Sequence, residues 1–352
     1  MKAEGGGRRA EGGGRRWRQF PAVLSARPVV LLWLLYAAPA IAQDAVYLST
    51  GGGRTKVSGR VLDYTGRELQ MELTGGRQQN YPAVEVVQVH TVCGAKHVEA
   101  DAALAKGRCD QALVLYQQAM KDEPRRWVQR QILAGIVHCH HALEQDDRAG
   151  EAFLQLLRND PLTPYFDCIP LAWMPRQPSL AVEKAATAWF AREEPAMVLL
   201  GASHLLTSPK RAVAVERLNR LAAGDQQPVA ELAAAQLWRI ALATASDAQL
   251  DDWGRAIDAL PEKLQGGPYF VLGAARAQRK QWEPAALALL RVPILYAHDR
   301  PLAAQALLEA GRALQDLGQE PESMRLYREL LRTYPEQTRP VTEAKGRMKD
   351  EG

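Results

Sequence analysis

The sequence predicts a mainly α-helical chain, an array of stacked helix pairs, with a small all-β unit ahead of it. Three observations carry this. Between residues 45 and 92 apolar residues alternate with polar ones at a period of two, broken by glycine turns. Beyond His97 the turn signals thin out and the period becomes helical. A glycine–alanine–tyrosine–alanine–proline pattern then returns along the chain at a nearly constant spacing.

Residues 1–42 read as a disordered basic tail and a signal peptide. "EGGGRR" stands at Glu4–Arg9 and again at Glu11–Arg16, a low-complexity doubling that cannot bury a core. Ten apolar residues follow, Val29–Ala38, then Pro39 and the small-residue site Ala40-Ile41-Ala42. That order matches a secretory signal, and ten residues fall short of the roughly 20 that span a bilayer. Cleavage after Ala42 is expected, into the periplasm or cell envelope. An uncleaved leader acting as a membrane anchor is the other reading.

The formal charge of +4 is a property of the tail. Residues 1–27 hold seven bases and two acids, which leaves the remaining 325 residues at −1. The folded part carries no basic footprint for nucleic acid.

In the 45–92 unit, Leu69, Met71 and Leu73 alternate with Glu68, Gln70 and Glu72, and Val57, Gly59 and Val61 with Ser58 and Arg60. Turns are expected at Gly51-Gly52-Gly53, Thr65-Gly66 and Gly75-Gly76, and a last strand over Val84–Val89. Four or five short strands in so little chain suit a closed barrel, because closure removes exposed edges. The layout resembles an SH3-like or Sm-like barrel, which implies a binding module. A unit that simply caps the helices is the alternative.

In "GRCDQALVLYQQAMKDEP", Gly107 ends one helix, Ala112 and Ala119 allow close approach, Tyr116 fills the gap and Pro124 stops the chain. Ala149, Phe153, Leu156 and Pro161 repeat the last four positions 37 residues on. Gly311, Gly318, Tyr327, Leu330 and Pro335 form a third match, and Gly273, Trp282, Ala285 and Leu289 a fourth, Gly273 lying 38 residues before Gly311. These units, at 94–160 and 266–337, resemble tetratricopeptide repeats. The resemblance implies an α-solenoid whose concave face binds another protein or peptide.

Between them, at 179–262, the repeats degenerate, but helices are expected at about 180–191, 195–206, 209–223, 228–244 and 247–260. Ser208-Pro209 reads as a helix start, and Ser246–Gln249 as a capping box. Residues 338–352 are left as a C-terminal tail. The stretch 161–178, with prolines at 161, 164, 170, 175 and 178, cannot be regular helix. Its Phe166, Trp173 and Met174 are expected to pack over the end of the first helical block, with contact to a partner as the sharper reading.

No phosphate loop, nucleophile elbow, His-Glu-x-x-His or Cys-x-x-Cys occurs, so neither an enzyme nor a cofactor is expected. Ser203-His204, neighbours on one helix, point to different faces. All four cysteines and five of the seven histidines lie between residues 90 and 168. Antiparallel packing brings Cys109 level with Cys139, as a disulfide or as two buried free thiols. His138-Cys139-His140-His141 cannot all hold one ion, since consecutive helical side chains diverge by about 100°. In the repeat register, His97, His138 and His141 fall on the concave wall, Cys139 at a packed small position and His140 where the family packs a tyrosine. Partner contact is expected through Gln131, His138, His141, Arg312 and Gln315. The alternative is a periplasmic metal-binding protein with His97, His138 and His141 as ligands.

Overall fold

The computed structural model of the chain describes residues 43–50 and 53–350. The stretch 1–42, where a basic tail, a signal peptide and cleavage after Ala42 are expected, lies outside the described residues.

Five strands, β1 (Asp44–Thr50), β2 (Gly53–Tyr64), β3 (Glu68–Leu73), β4 (Gln78–Pro82) and β5 (Val86–His90), form one antiparallel sheet in the order β4-β3-β2-β1-β5. The expected alternation is present on β3, where Leu69 and Met71 are buried and Gln70 is exposed. The expected barrel is not. Among the described residues β4 pairs only with β3 and β5 only with β1, so the sheet stays open. Helices supply the burial that closure would have given. Val46, Leu48, Val61, Leu69 and Met71 share one core with Ala100, Tyr116, Trp127 and Ile132 of the first helices. Arg130 fixes this contact by pairing with Asp63 and donating to the Tyr64 carbonyl at 2.7 Å.

Among the described residues fourteen α-helices follow: α1 (Ala95–Ala105), α2 (Cys109–Asp122), α3 (Arg126–Ala142), α4 (Asp146–Asn159), α5 (Leu180–Phe190), α6 (Pro195–Leu205) and α7 (Arg211–Ala222). Then come α8 (Val229–Trp238), α9 (Asp247–Ala259), α10 (Gly266–Gln278), α11 (Trp282–Leu295), α12 (Arg300–Asp316), α13 (Glu320–Thr333) and α14 (Thr338–Asp350). Sequence neighbours pack as pairs: α1 on α2, α3 on α4, α5 on α6, α7 on α8, α10 on α11, α12 on α13.

The turn chemistry is local and follows the sequence. Gly107 between α1 and α2, and Gly318 between α12 and α13, take positive φ values of 71° and 81°, a region open to glycine at little cost. Ser246 and Gln249 close the capping box ahead of α9. A large side chain packed on a glycine also recurs. A Cβ on Gly311 would lie 2.4 Å from the Tyr327 ring, and one on Gly273 would lie 2.6 Å from Leu289, at the same spacing.

Two local expectations change. Ser208 does not cap α7; its hydroxyl turns back to the Leu205 carbonyl at 3.0 Å and closes the end of α6. The 338–352 tail is mostly α14, held by burial of Val341 and Ala344 in the C-terminal core. At larger scale, α3 touches α12, so the last pairs return to the first. Gln337 donates to the Ala142 carbonyl at 3.4 Å across this seam.

Candidate functional site

The seam gathers ionisable groups from three parts of the chain. His141, on the last turn of α3, places Nδ1 2.7 Å from Asp146 Oδ1 at the start of α4. Its Nε2 lies 3.6 Å from Asp299 Oδ1, whose side chain also caps α12 by accepting from the Leu302 amide at 3.2 Å. Arg176, from the proline-rich stretch, pairs with Glu144 at 2.5 Å and Asp146 at 3.7 Å. Burial alone would lower the pKa of His141, but its bonds to Asp146 and Asp299 outweigh this and push it up to about 10. Burial also acts against the charge on Asp146, and His141 overcomes it to hold that carboxyl at about 2. The imidazolium between two carboxylates is a built ionic clasp.

Beside the clasp runs the proline-rich stretch. It does not merely cover the first helical block. Cys168, Ile169 and Leu171 are buried with α3–α8, and Trp173 packs against both that core and the C-terminal one. From residue 169 to 178 it has no helix or strand, and helix side chains hold it by its main chain. His204 Nε2 donates to the Pro170 carbonyl at 2.9 Å, Thr207 to Arg176 at 2.7 Å and Arg239 Nη2 to Met174 at 3.2 Å. The Ser203 hydroxyl accepts the Ala172 amide at 3.3 Å. Burial lowers the pKa of His204, which fits a neutral ring with its proton on Nε2. Arg239 has carbonyl and amide oxygens as partners, Ser203 at 2.8 Å and Gln236 at 2.6 Å besides Met174, and burial pulls its pKa to about 10. Two cavities flank the strand-like stretch. One, of about 320 Å³, includes His141, Arg176, His204 and Asp299; the other, of about 460 Å³, includes Trp173, Arg239, Phe270, Gln278 and Arg312.

The residues expected to meet a partner are dispersed. His141 is in the clasp. His138 is half-buried on α3, edge-on to His298 with ring centres 5.4 Å apart, and burial with its histidine neighbour pulls its pKa to about 3. Gln131 is half-buried on α3. Arg312 lines the larger cavity and pairs with Glu309 at 2.8 Å and with Glu343. Gln315 accepts from Tyr327 at 3.3 Å and from Arg347 at 3.1 Å.

For the metal reading, His97 is buried in the sheet-side core, 3.7 Å from Asp101 and against Tyr116. It does not join His138 and His141. Among the described residues no group of three or more His, Cys, Asp or Glu side chains is placed to hold a metal ion. Cys109 and Cys139 are buried free thiols within one core. Among the described residues no helix is long and apolar enough to cross a membrane.

Sequence reasoning missed Asp299, His204 and Arg239. Asp299 had a signal, an N-cap aspartate with Pro301 in the first turn. His204 and Arg239 had none, because their role is to meet a segment more than thirty residues away. No protein-family model matches the chain, and no curated protein sequence matches it. Fold and site together define a mainly helical chain with an open N-terminal sheet and a proline-rich segment held by its main chain against α6 and the end of α8.

Proposed function

We propose that the chain is a non-enzymatic, exported scaffold. Its helix pairs, in a tetratricopeptide-like solenoid, hold an extended segment of another protein along the inner face. The observation that carries this reading is the course of residues 169–178. Side chains of α6, the turn after it and the end of α8 hold an unstructured stretch by its carbonyls and an amide. Contacts of that kind suit any extended peptide, because they address the main chain rather than one side chain. The 460 Å³ cavity prolongs this face past Trp173, with Phe270 and Leu289 as an apolar floor and Gln278, Gln305 and Arg312 as polar edges. A partner segment docks there, beside the internal one. The sheet serves as a lid on the first helices, its inner face being used up by their core.

A photoreactive amino acid placed at Gln278 in the cavity, and separately at the exposed Arg255, tests this in exported envelope fractions. The Gln278 position should cross-link to one defined peptide of a partner and the Arg255 position should not. Equal labelling at both positions, or none at Gln278, refutes the groove.

A further inference from the structure

Arg239, half-buried just past the end of α8, is a cation that the chain leaves without a counter-charge. All its acceptors are neutral: the Ser203 carbonyl at 2.8 Å, Gln236 Oε1 at 2.6 Å and the Met174 carbonyl at 3.2 Å. Burial pulls its pKa to about 10, and no acid acts against that pull. Gln236, 0% exposed, turns its oxygen to Arg239 and so leaves its own Nε2 without a partner. Two of the three bonds come from Nη1 and one from Nη2. The Nε hydrogen and one Nη2 hydrogen therefore have no acceptor among the described residues. Those two nitrogens share one edge of the guanidinium, spaced to meet both oxygens of a carboxylate.

Arg239 stands in the wall of the 460 Å³ cavity. That wall carries three guanidinium groups, Arg211, Arg239 and Arg312, and one carboxylate, Glu309. Glu309 is taken by Arg312 at 2.8 Å, and Glu343, outside the wall, also pairs with Arg312. Arg211 is exposed and forms no ion pair among the described residues. The charge left uncompensated around the cavity is therefore positive. Beside it lies apolar surface, with Phe270 and Leu289 on the floor and Ile240, 36% exposed, at the rim.

The geometry points to a carboxylate subsite: the partner segment in the groove carries an acidic side chain that pairs with Arg239, next to an apolar side chain on Phe270 and Leu289. This rests on the groove reading and adds the chemistry of its occupant. A carboxylate offers two oxygens to the two unused donors and restores the counter-charge that a buried cation lacks. A phosphate brings more charge and more oxygens than one guanidinium edge can serve. The carboxylate belongs to a side chain rather than to a chain end, because the cavity prolongs the face along which 169–178 runs. A segment lying beside that stretch passes through the cavity. Main-chain contacts admit any extended peptide, and this ion pair selects among them.

4-Benzoylbenzoate, a photoreactive apolar acid, and its uncharged amide are the probes. Each is irradiated with the full chain, and the labelled peptides are identified by mass spectrometry. The acid should label the wall around Trp173, Ile240 and Phe270 about tenfold more than the amide does. In Arg239→Gln that preference should vanish. Equal labelling by acid and amide in wild type, or labelling of this wall by neither, overturns the subsite, and that arm needs no substitution to fold. The cross-link from Gln278 supplies a second measurement. The captured partner peptide should be internal and carry Asp or Glu within about three residues of the linked position, the reach of an extended chain across the cavity. A captured peptide without such an acid, or one from the partner's C-terminus, overturns the subsite and leaves the groove standing. No cross-link at Gln278 refutes the groove itself, and with it the peptide as occupant.

Discussion

His141 is a residue whose charge depends on its neighbours. Its folded pKa of about 10 exceeds the ordinary 6.5, so the clasp stabilises fully below pH 6.5 and weakens as pH rises towards 10. Asp146 works in the opposite window. Its folded value of about 2 lies below 3.8, so its contribution is present above pH 3.8 and lost as pH falls through 2. Between those windows the clasp is complete. His141→Gln strands two carboxylates at the seam and is expected to cost about 3 kcal/mol near neutral pH. Chemical denaturation of both proteins at a series of pH values checks this: the gap should narrow as pH rises from 6.5 to 10. A gap independent of pH would mean that His141 acts by shape alone.

At the scale of elements, the proline-rich segment joins two cores that the helix pairs leave separate. Trp173 packs on both, and its ring occupies the place where a Cβ on Gly267 would stand, 1.9 Å away. Trp173→Ala is expected to cost about 3 kcal/mol, since the cavity it leaves is lined by rigid helices. Hydrogen exchange should speed up at Cys168–Arg176 while the β2–β3 ladder keeps its protection; a uniform loss would show that the segment has no separate role as a strap. This element also marks where legibility ends. Most helices of 179–262, the capping box at Ser246 and the positive φ at Gly107 are decided by residues a few positions apart, and the sequence carries them openly, although the helix expected over 228–244 ends at Trp238. The β3 alternation is local in the same way. Whether the sheet closes is not, because the answer rests on Ala100, Tyr116 and Ile132 reaching its inner face. The candidate site is almost wholly non-local. His138 and His141 read as groove residues, yet their partners Asp299 and His298 come from the far end of the array. The five prolines showed that 161–178 is not helix, and nothing nearby showed which helices would grip it.

For the whole molecule, the decisive feature is that an array of helix pairs, which could run on as an open curve, is fastened to its own beginning. Arg300 is the fastening on the C-terminal side. It donates to Glu336 at 2.6 Å and to the Thr333 carbonyl at 2.7 Å, lies over the Tyr334 ring at 4.8 Å, and fills the space in front of Gly107, where a Cβ would sit 2.7 Å from its guanidinium. Asp299, next to it, holds His141. Each helix pair keeps its own partner if both contacts are removed, so the double change Asp299→Ala/Arg300→Met should open the seam without unfolding the pairs. Removing these buried charges together is expected to cost about 3–5 kcal/mol. A compact chain of this length has a radius of gyration of about 20 Å, and small-angle X-ray scattering of the variant should show an increase with unchanged helical circular dichroism. Lost stability at constant radius would make the seam an ordinary buried contact. An increase would make it a clasp, and would predict easier access to the cavity beside Trp173, because that cavity and the seam share α12 as a wall.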